Sequence, residues 1–492
     1  MAPRRRPLGL IGAIVALVAL LAVVVLAANP ADEPDVRVPR AGVPAEETAN
    51  EEAAEQAETA QEHREAVAEA LAAGTLGKTE PIRYLRARVW VGETLAHPIA
   101  DDWEPAIATD PNDPWVYVAI TRFGYPPCPK GNCPDPSIVV RASSNGGKTW
   151  GDDVYVCGCV RVHSQFDPIL EVVPDSGELY AVWMNDWNIV FSRSSDHGAT
   201  WSEPVPVYGN VSWGDKPAMA TSADGQDVYV SFNGPTGGDV YVAVSHDAGA
   251  TWEQVRVTDG GRYYFAYSGV VAPGGRVTFA EMSETYTAPG GASEGPVFAH
   301  AITSDDGGAT WTDVVVDRVE LGVPCTSEWC YADFYDGHTA IAGDADGDLV
   351  ILYDGATRVG GPRRIWASAS TDGGLTWSGR ASLSPKGANA GFPAAVGFGD
   401  GRVRAWFMDQ RTGRWNVWYR TSRDLGQTWT TPIRISDAVS GTVYKDADGF
   451  TEAYGDYGEI AITSEGMTVA VWGESISYRG PGGVWFNRQR AG

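Results

Sequence analysis

The side chains best suited to chemistry in this sequence are carboxyls and aromatic rings. Asp167, Asp215, Glu281 and Asp409 fall where short alternating apolar runs begin or end, and Tyr267 shares a module with Glu281. In a pair of such carboxyls, one can protonate a leaving oxygen while the other assists attack on the adjoining carbon. Trp103 and Trp187 lie at similar run ends, where an indole can stack on a sugar face. Arg122, Arg411 and Arg358 sit in or just after neighbouring turns and could form a cation cluster for an anionic group. The competing reading is structural, because Asp and Glu at strand ends commonly do no more than satisfy loop amides.

Positioning these residues takes a scaffold, and repetition identifies it. The octet Ser-x-Asp-x-Gly-x-Thr-Trp occurs as "SSDHGATW" from Ser194, "SHDAGATW" from Ser245, "SDDGGATW" from Ser304, "STDGGLTW" from Ser370 and "SRDLGQTW" from Ser422. A further copy, "SSNGGKTW" from Ser143, carries Asn145 in place of Asp. Successive copies stand about fifty to the mid-sixties of residues apart, the spacing of propeller blades rather than of helical arrays. Within one module the apolar alternations are broken by "SADGQD", "NGPTGG" and the octet, which gives four strands, A to D. Ser and Asp of the octet are placed to bond nearby amides, Gly to take positive φ, and Trp to fold back into the sheets as a buried ring.

The A–B–C sets begin near Glu104, Asp167, Asp215, Tyr267, Asp336, Phe392 and Asp456. The last set ends before any octet or fourth strand, and "IRYLRARVWV" at residues 82–91 can supply the missing strand and close the ring. The expectation is an all-β fold, a single β-propeller of four-stranded blades closed by an N-terminal strand, with seven blades and six as the alternative. If the octet joins C to D, the B–C loops and the links from D to the next A share the opposite face. That face carries the carboxyls and rings named above.

Nineteen Trp and 58 Gly suit short strands and tight turns. Arg4–Arg6 precede an uncharged run from Leu8 to Ala28, long enough at roughly 1.5 Å per residue to cross a bilayer. Residues 1–28 therefore read as a transmembrane anchor, with a cleaved signal peptide as the alternative. Either way the remainder is extracytoplasmic, tethered to the membrane or secreted. Residues 29–80 are an acidic Ala/Glu-rich stalk with too few large apolar residues to build a core, and 81–492 form the propeller. The net charge is −26, and the lack of clustered Lys and Arg argues against nucleic acid as a partner. A monomer is expected.

Six cysteines in an exported chain suggest disulfides. On an extended strand Cys157 and Cys159 would have Cα atoms about 6.6 Å apart, poor geometry for a mutual bond. Crosslinks from Cys128 and Cys133 to that pair are the expected alternative, with Cys325 and Cys330 closing their own loop. No cofactor is required by these motifs. Calcium could be held by Asp446, Asp448 and Glu452 in "KDADGFTE", whereas "DADGD" at 344–348 reads as an A–B turn.

The octets resemble the Asp-boxes of the sialidase-like, or BNR-repeat, propeller superfamily, across the chain from about residue 82 onward. The resemblance implies a propeller whose site lies on the face opposite the boxes. It also implies a Tyr–Glu nucleophile couple, for which Tyr267 with Glu281 is the best available pair. "PIRYLR" at 81–86 is not the Arg-Ile-Pro motif of true sialidases, so exo-sialidase activity is not expected. Two functions remain open: a glycoside hydrolase acting on glycans or glycoconjugates through the B–C loop face, and a noncatalytic glycan- or protein-binding propeller tethered outside the membrane.

Overall fold

A computed structural model describes residues 89–490 except 98–99, 125–132, 160–161, 236–237, 287–292, 324–336, 437–444, 447–448, 451 and 476–481, with five further residues between 61 and 72. All of them belong to one compact unit, Ala41–Gly492. Among them no helix is long and apolar enough to cross a membrane.

The alternating runs form seven antiparallel four-stranded sheets. Their innermost strands, A, are Asp101–Thr109, Gln165–Val172, Asp215–Thr221, Tyr263–Val271, Thr339–Gly343, Ala390–Gly397 and Glu452–Ile462 in blades 1 to 7. Each A strand packs beside the next, and blade 7 returns to blade 1, so six blades are excluded. The closing outer strand of blade 7 is Thr94–Leu95, paired with Gly483–Arg488 and extended by a bridge between Trp90 and Gln489. Closure by an N-terminal strand holds: among the described residues the pairing runs from Val89 to Ala96, and residues 82–88 of the expected strand lie outside those described.

Apolar side chains from facing sheets fill every junction between blades, with Trp183 between blades 1 and 2 and Trp406 and Trp472 between blades 6 and 7. The octets join C to D as expected. In the last one, Gly426 N donates to Ser422 Oγ (2.9 Å), Thr428 N and Oγ1 donate to the Asp424 carboxylate (2.9 and 2.6 Å), and Trp429 Nε1 donates to Gly426 O (2.8 Å). Asn145 reproduces the wiring by accepting from Thr149 N at 2.9 Å. The octet Trp rings are half-buried rather than buried. Each packs back on the preceding blade, as Trp252 does on Phe191 at 5.4 Å between centroids.

Cys157 and Cys159 form a disulfide with each other, against expectation. Strand D of blade 1 ends at Tyr155, so the Cys-Gly-Cys segment is not extended and its Cα atoms come to 5.1 Å. Cys133 is also disulfide-bonded, while the bridges expected at Cys128, Cys325 and Cys330 fall on residues outside those described. "DADGD" is an A–B turn: the Asp344 carboxylate accepts from Asp346 N (3.0 Å), Asp348 N (3.1 Å) and Gly401 N (2.9 Å).

Candidate functional site

Four blades begin their A strand with the same local device. Glu104, Asp167, Lys216 and Phe392 each precede a proline and take positive φ, at 51°, 53°, 50° and 57°. Proline has no N–H for the ladder, so the register against strand B slips at each of these places. A non-glycine residue held at such φ costs roughly 1–3 kcal/mol and persists where the surroundings fix it, commonly at functional positions. The bulge turns these four side chains out of the regular strand alternation.

In blades 1 to 3 the side chains at this level are charged and joined. Glu104 Oε2 accepts from Thr121 Oγ1 (2.7 Å) and from Asp167 N (3.0 Å) in the next blade. Lys216 Nζ lies 3.9 Å from Asp167 Oδ1, and Lys216 N donates to Asp215 Oδ1 at 2.8 Å. The Asp215 carboxyl is held well above the usual carboxylate range, first by burial and next by the neighbouring Asp167 carboxyl. Both causes favour its protonated form. Opposite Asp215 in the ladder stands Asn233, 1% exposed, with neither amide atom hydrogen-bonded.

In blades 4 to 6 the same level is aromatic. The Tyr267 ring stands 4.9 Å from His338, His338 stands 4.5 Å from Phe392, and Phe392 stands 5.9 Å from Trp415. Asp354 organises this half by accepting from Gly337 N (2.6 Å) and Phe392 N (3.2 Å), with His338 Nδ1 at 3.6 Å. Tyr267, His338 and Phe392 border a cavity of about 500 Å³ on the propeller axis. A carboxyl biased toward its protonated form, an ammonium and further carboxylates around a ring that is aromatic elsewhere suit acid–base work on a polyhydroxylated ligand.

Of the residues singled out from sequence, Asp167, Asp215 and Tyr267 stand at this level. Glu281 and Tyr267 do not form a couple. Glu281 lies in the seam with blade 3, where Ser231 Oγ donates to it at 2.5 Å, and Tyr267 packs on the opposite side of the sheet with blade 5. Burial pushes the Glu281 carboxyl up to about 8. Asp409 is fully buried and clasped by Arg411, whose Nε lies 2.9 Å from both carboxylate oxygens and whose guanidinium covers Trp418 at 3.8 Å. Arg122 is 2% exposed and held by Asp102 at 2.7 and 3.0 Å and by Asp153 at 2.5 Å. These two arginines are therefore committed within the protein, and only Arg358 is exposed. Trp103 is 1% exposed, with its indole N–H turned to Asp101, so its ring is core rather than platform. Trp187 is half-buried against the blade 2–3 core.

The side chains of Asp446, Asp448 and Glu452 lie outside the described residues. No group of three or more His, Cys, Asp or Glu among the described residues could hold a bare metal ion. Sequence reasoning passed over Lys216 and His338 as sites, though the proline after Lys216, matching those after Glu104 and Asp167, was the available signal.

Fold and repeats define the class: a seven-bladed β-propeller built on a repeated Ser-x-Asp-x-Gly-x-Thr-Trp octet. Residues 230–468 match the family model for the BNR repeat-like domain. Solved structures similar to it include a protein of unknown function from Dyadobacter fermentans, at 14% identity over 83% of this chain and 100% of that one, TM-score 0.47. A sialidase from Streptococcus pneumoniae is 13% identical over 84% of this chain and 71% of that one, TM-score 0.43. A polysaccharide lyase acting on ulvan is 12% identical over 80% and 95%, TM-score 0.48. No curated protein matches the sequence. None of these likenesses bears on the chemistry of this chain.

Proposed function

We propose that this chain is an exported, glycan-acting propeller, a glycoside hydrolase that uses the face bearing the B–C loops. The reading rests on one observation: the carboxyls of Asp167 and Asp215 stand together beside Lys216, at a level of the ring where four blades hold residues at positive φ. Asp215 is assigned as the proton donor to the leaving oxygen, and Asp167, steadied by Lys216, as the carboxylate that assists attack or faces the developing positive charge. Tyr267 and Phe392 supply the apolar rings for the sugar faces.

The test is turnover of a panel of fluorogenic glycosides by the exported domain. Asp215→Asn and Asp167→Asn are each expected to reduce the rate by about 10²–10⁴, the worth of a positioned acid or base. Asp346→Asn, on the octet face, should leave it unchanged. A second reading, noncatalytic glycan binding, is favoured by the near-complete burial of Asp167 and Asp215, at 3% and 7% exposure. Glycan-array binding without turnover of any glycoside would select it.

A further inference from the structure

The cavity on the propeller axis, about 500 Å³, is lined by the A strands of all seven blades, largely through small and aliphatic residues. Three carboxyl residues break that lining: Asp344, whose carboxylate is taken up by the amides of its own turn and of Gly401, and Glu171 of blade 2 and Glu459 of blade 7, on either side of the blade 1 strand. Among the described residues Glu171 and Glu459 have one hydrogen-bond donor between them, Ile107 N, which donates to Glu459 Oε2 at 2.6 Å. Burial pushes both carboxyls up to about 8, and Glu459 also feels the charge of Glu171. Acidic groups enclosed in this way are costly unless something positive or protonated accompanies them.

The same cavity shows independently that its contents are polar. His338 and Thr339 border it at 2% and 3% exposure, and neither the His338 ring nitrogens nor Thr339 Oγ1 has a hydrogen-bond partner among the described residues. Buried groups of this kind are almost always satisfied, by ordered water where protein partners are lacking. An axial cavity of this size with polar walls has room for a cation together with its hydration shell.

We propose that the axial cavity binds one hydrated divalent cation, of the Mg²⁺ or Ca²⁺ class, between the carboxylates of Glu171 and Glu459. Two carboxylates balance the charge, and water completes the coordination, as hard cations with few protein ligands require. Of the other lining groups able to ligate, Asp344 is engaged by turn amides and His338 stands beside Asp354, which fits an ion that keeps most of its water. The site is separate from the Asp167–Asp215–Lys216 cluster, and it does not need that cluster to function.

Mn²⁺ is the probe, titrated into chelator-treated full-length protein while free hexaaqua Mn²⁺ is followed by its electron paramagnetic resonance signal. Wild type is expected to take up one ion per chain with a dissociation constant below about 1 mM. Glu171→Gln and Glu459→Gln should each weaken binding at least tenfold, and the double variant should abolish it. Glutamine keeps the shape and, at 459, an acceptor for Ile107 N, and near-ultraviolet circular dichroism checks that each variant is folded. Asp446→Asn/Asp448→Asn should leave uptake unchanged. No uptake by wild type at 1 mM, or equal uptake by the folded double variant, would overturn the proposal. Loss of uptake in the loop variant alone would overturn it too, by moving the ion to 446–452.

Discussion

Replacing Arg122 by alanine separates a buried structural cation from a ligand-gripping one. Its guanidinium is forked onto Asp102 at 2.7 and 3.0 Å and reaches Asp153 at 2.5 Å, with Arg122 2% and Asp102 1% exposed. Truncation leaves Asp102 buried and unpaired, a loss of about 3–5 kcal/mol for a broken interior pair. With an unfolding entropy of about 2.1 cal/mol/K per residue over a ring of roughly 400 residues, that is a drop in Tm of about 4–6 °C. The pH dependence has a definite sign. Burial already raises the Asp102 carboxyl despite Arg122, and removing the cation raises it further. The folded variant therefore binds its Asp102 proton more tightly than the unfolded chain does, and its stability falls as pH rises above the unfolded carboxylate value. The cost of the substitution should be largest at neutral pH and shrink toward pH 4. Thermal and urea melts at pH 4.5 and 7.5 measure both features. A loss under about 1 kcal/mol, or one independent of pH, would refute the argument, as would abolished glycan binding in a fully stable variant.

Other expectations follow from the same geometry. Glu281→Gln should be neutral near pH 5 and stabilising by more than about 1 kcal/mol near pH 9, because the folded carboxyl, raised to about 8, loses stability as pH climbs through the window from about 4.5 to 8. Urea melts across that range check the sign. Trp252→Ala, which removes a half-buried ring from Phe191, should cost about 2–3 kcal/mol, somewhat less than for a fully buried Trp, and leave ligand affinity per folded molecule intact. Truncation before Val89 should leave a cooperative melt, whereas truncation through Ala96 should abolish it, since Thr94 and Leu95 complete blade 7. Equal melts for the two truncations would rule out that closure.

The architecture could be read from the sequence because each octet wires itself: Ser, Asp, Gly, Thr and Trp satisfy one another within eight residues, whatever surrounds them. Blade number followed from counting the A–B–C strand sets, seven of them, one more than the octets. The site was less legible because its parts meet only across blades. Asp167 and Asp215 could be nominated as strand-end carboxyls, yet nothing local to either shows that one raises the other, or that Lys216 stands beside both. The arginines illustrate the converse. Arg122 and Arg411 have the chemistry of ligand grips, but their carboxylate partners, Asp102 and Asp409, lie close enough to consume them. Tyr267 and Glu281 sit fourteen positions apart in one module, and a bulge between Ala266 and Ser268 was enough to send them to opposite sides of the sheet. The Cys157–Cys159 bond was missed for a similar reason, since an assumed extended backbone gave the wrong separation.

The pairing of Val89–Ala96 with the last strand of blade 7 has a topological consequence. Arg490 N donates to Val89 O at 2.9 Å and Val91 N donates to Arg488 O at 3.0 Å, so the first and last residues of the ring are hydrogen-bonded neighbours. The order in which the blades occur along the chain is then incidental to the closed object they form. Linking residue 490 to residue 89 with a few flexible residues, and reopening the chain at an exposed turn between two blades such as Lys386–Gly387, would give a circular permutant with every blade sheet whole. In such a permutant no sheet is assembled from the two ends of the chain, and closing the ring depends only on packing between neighbouring sheets.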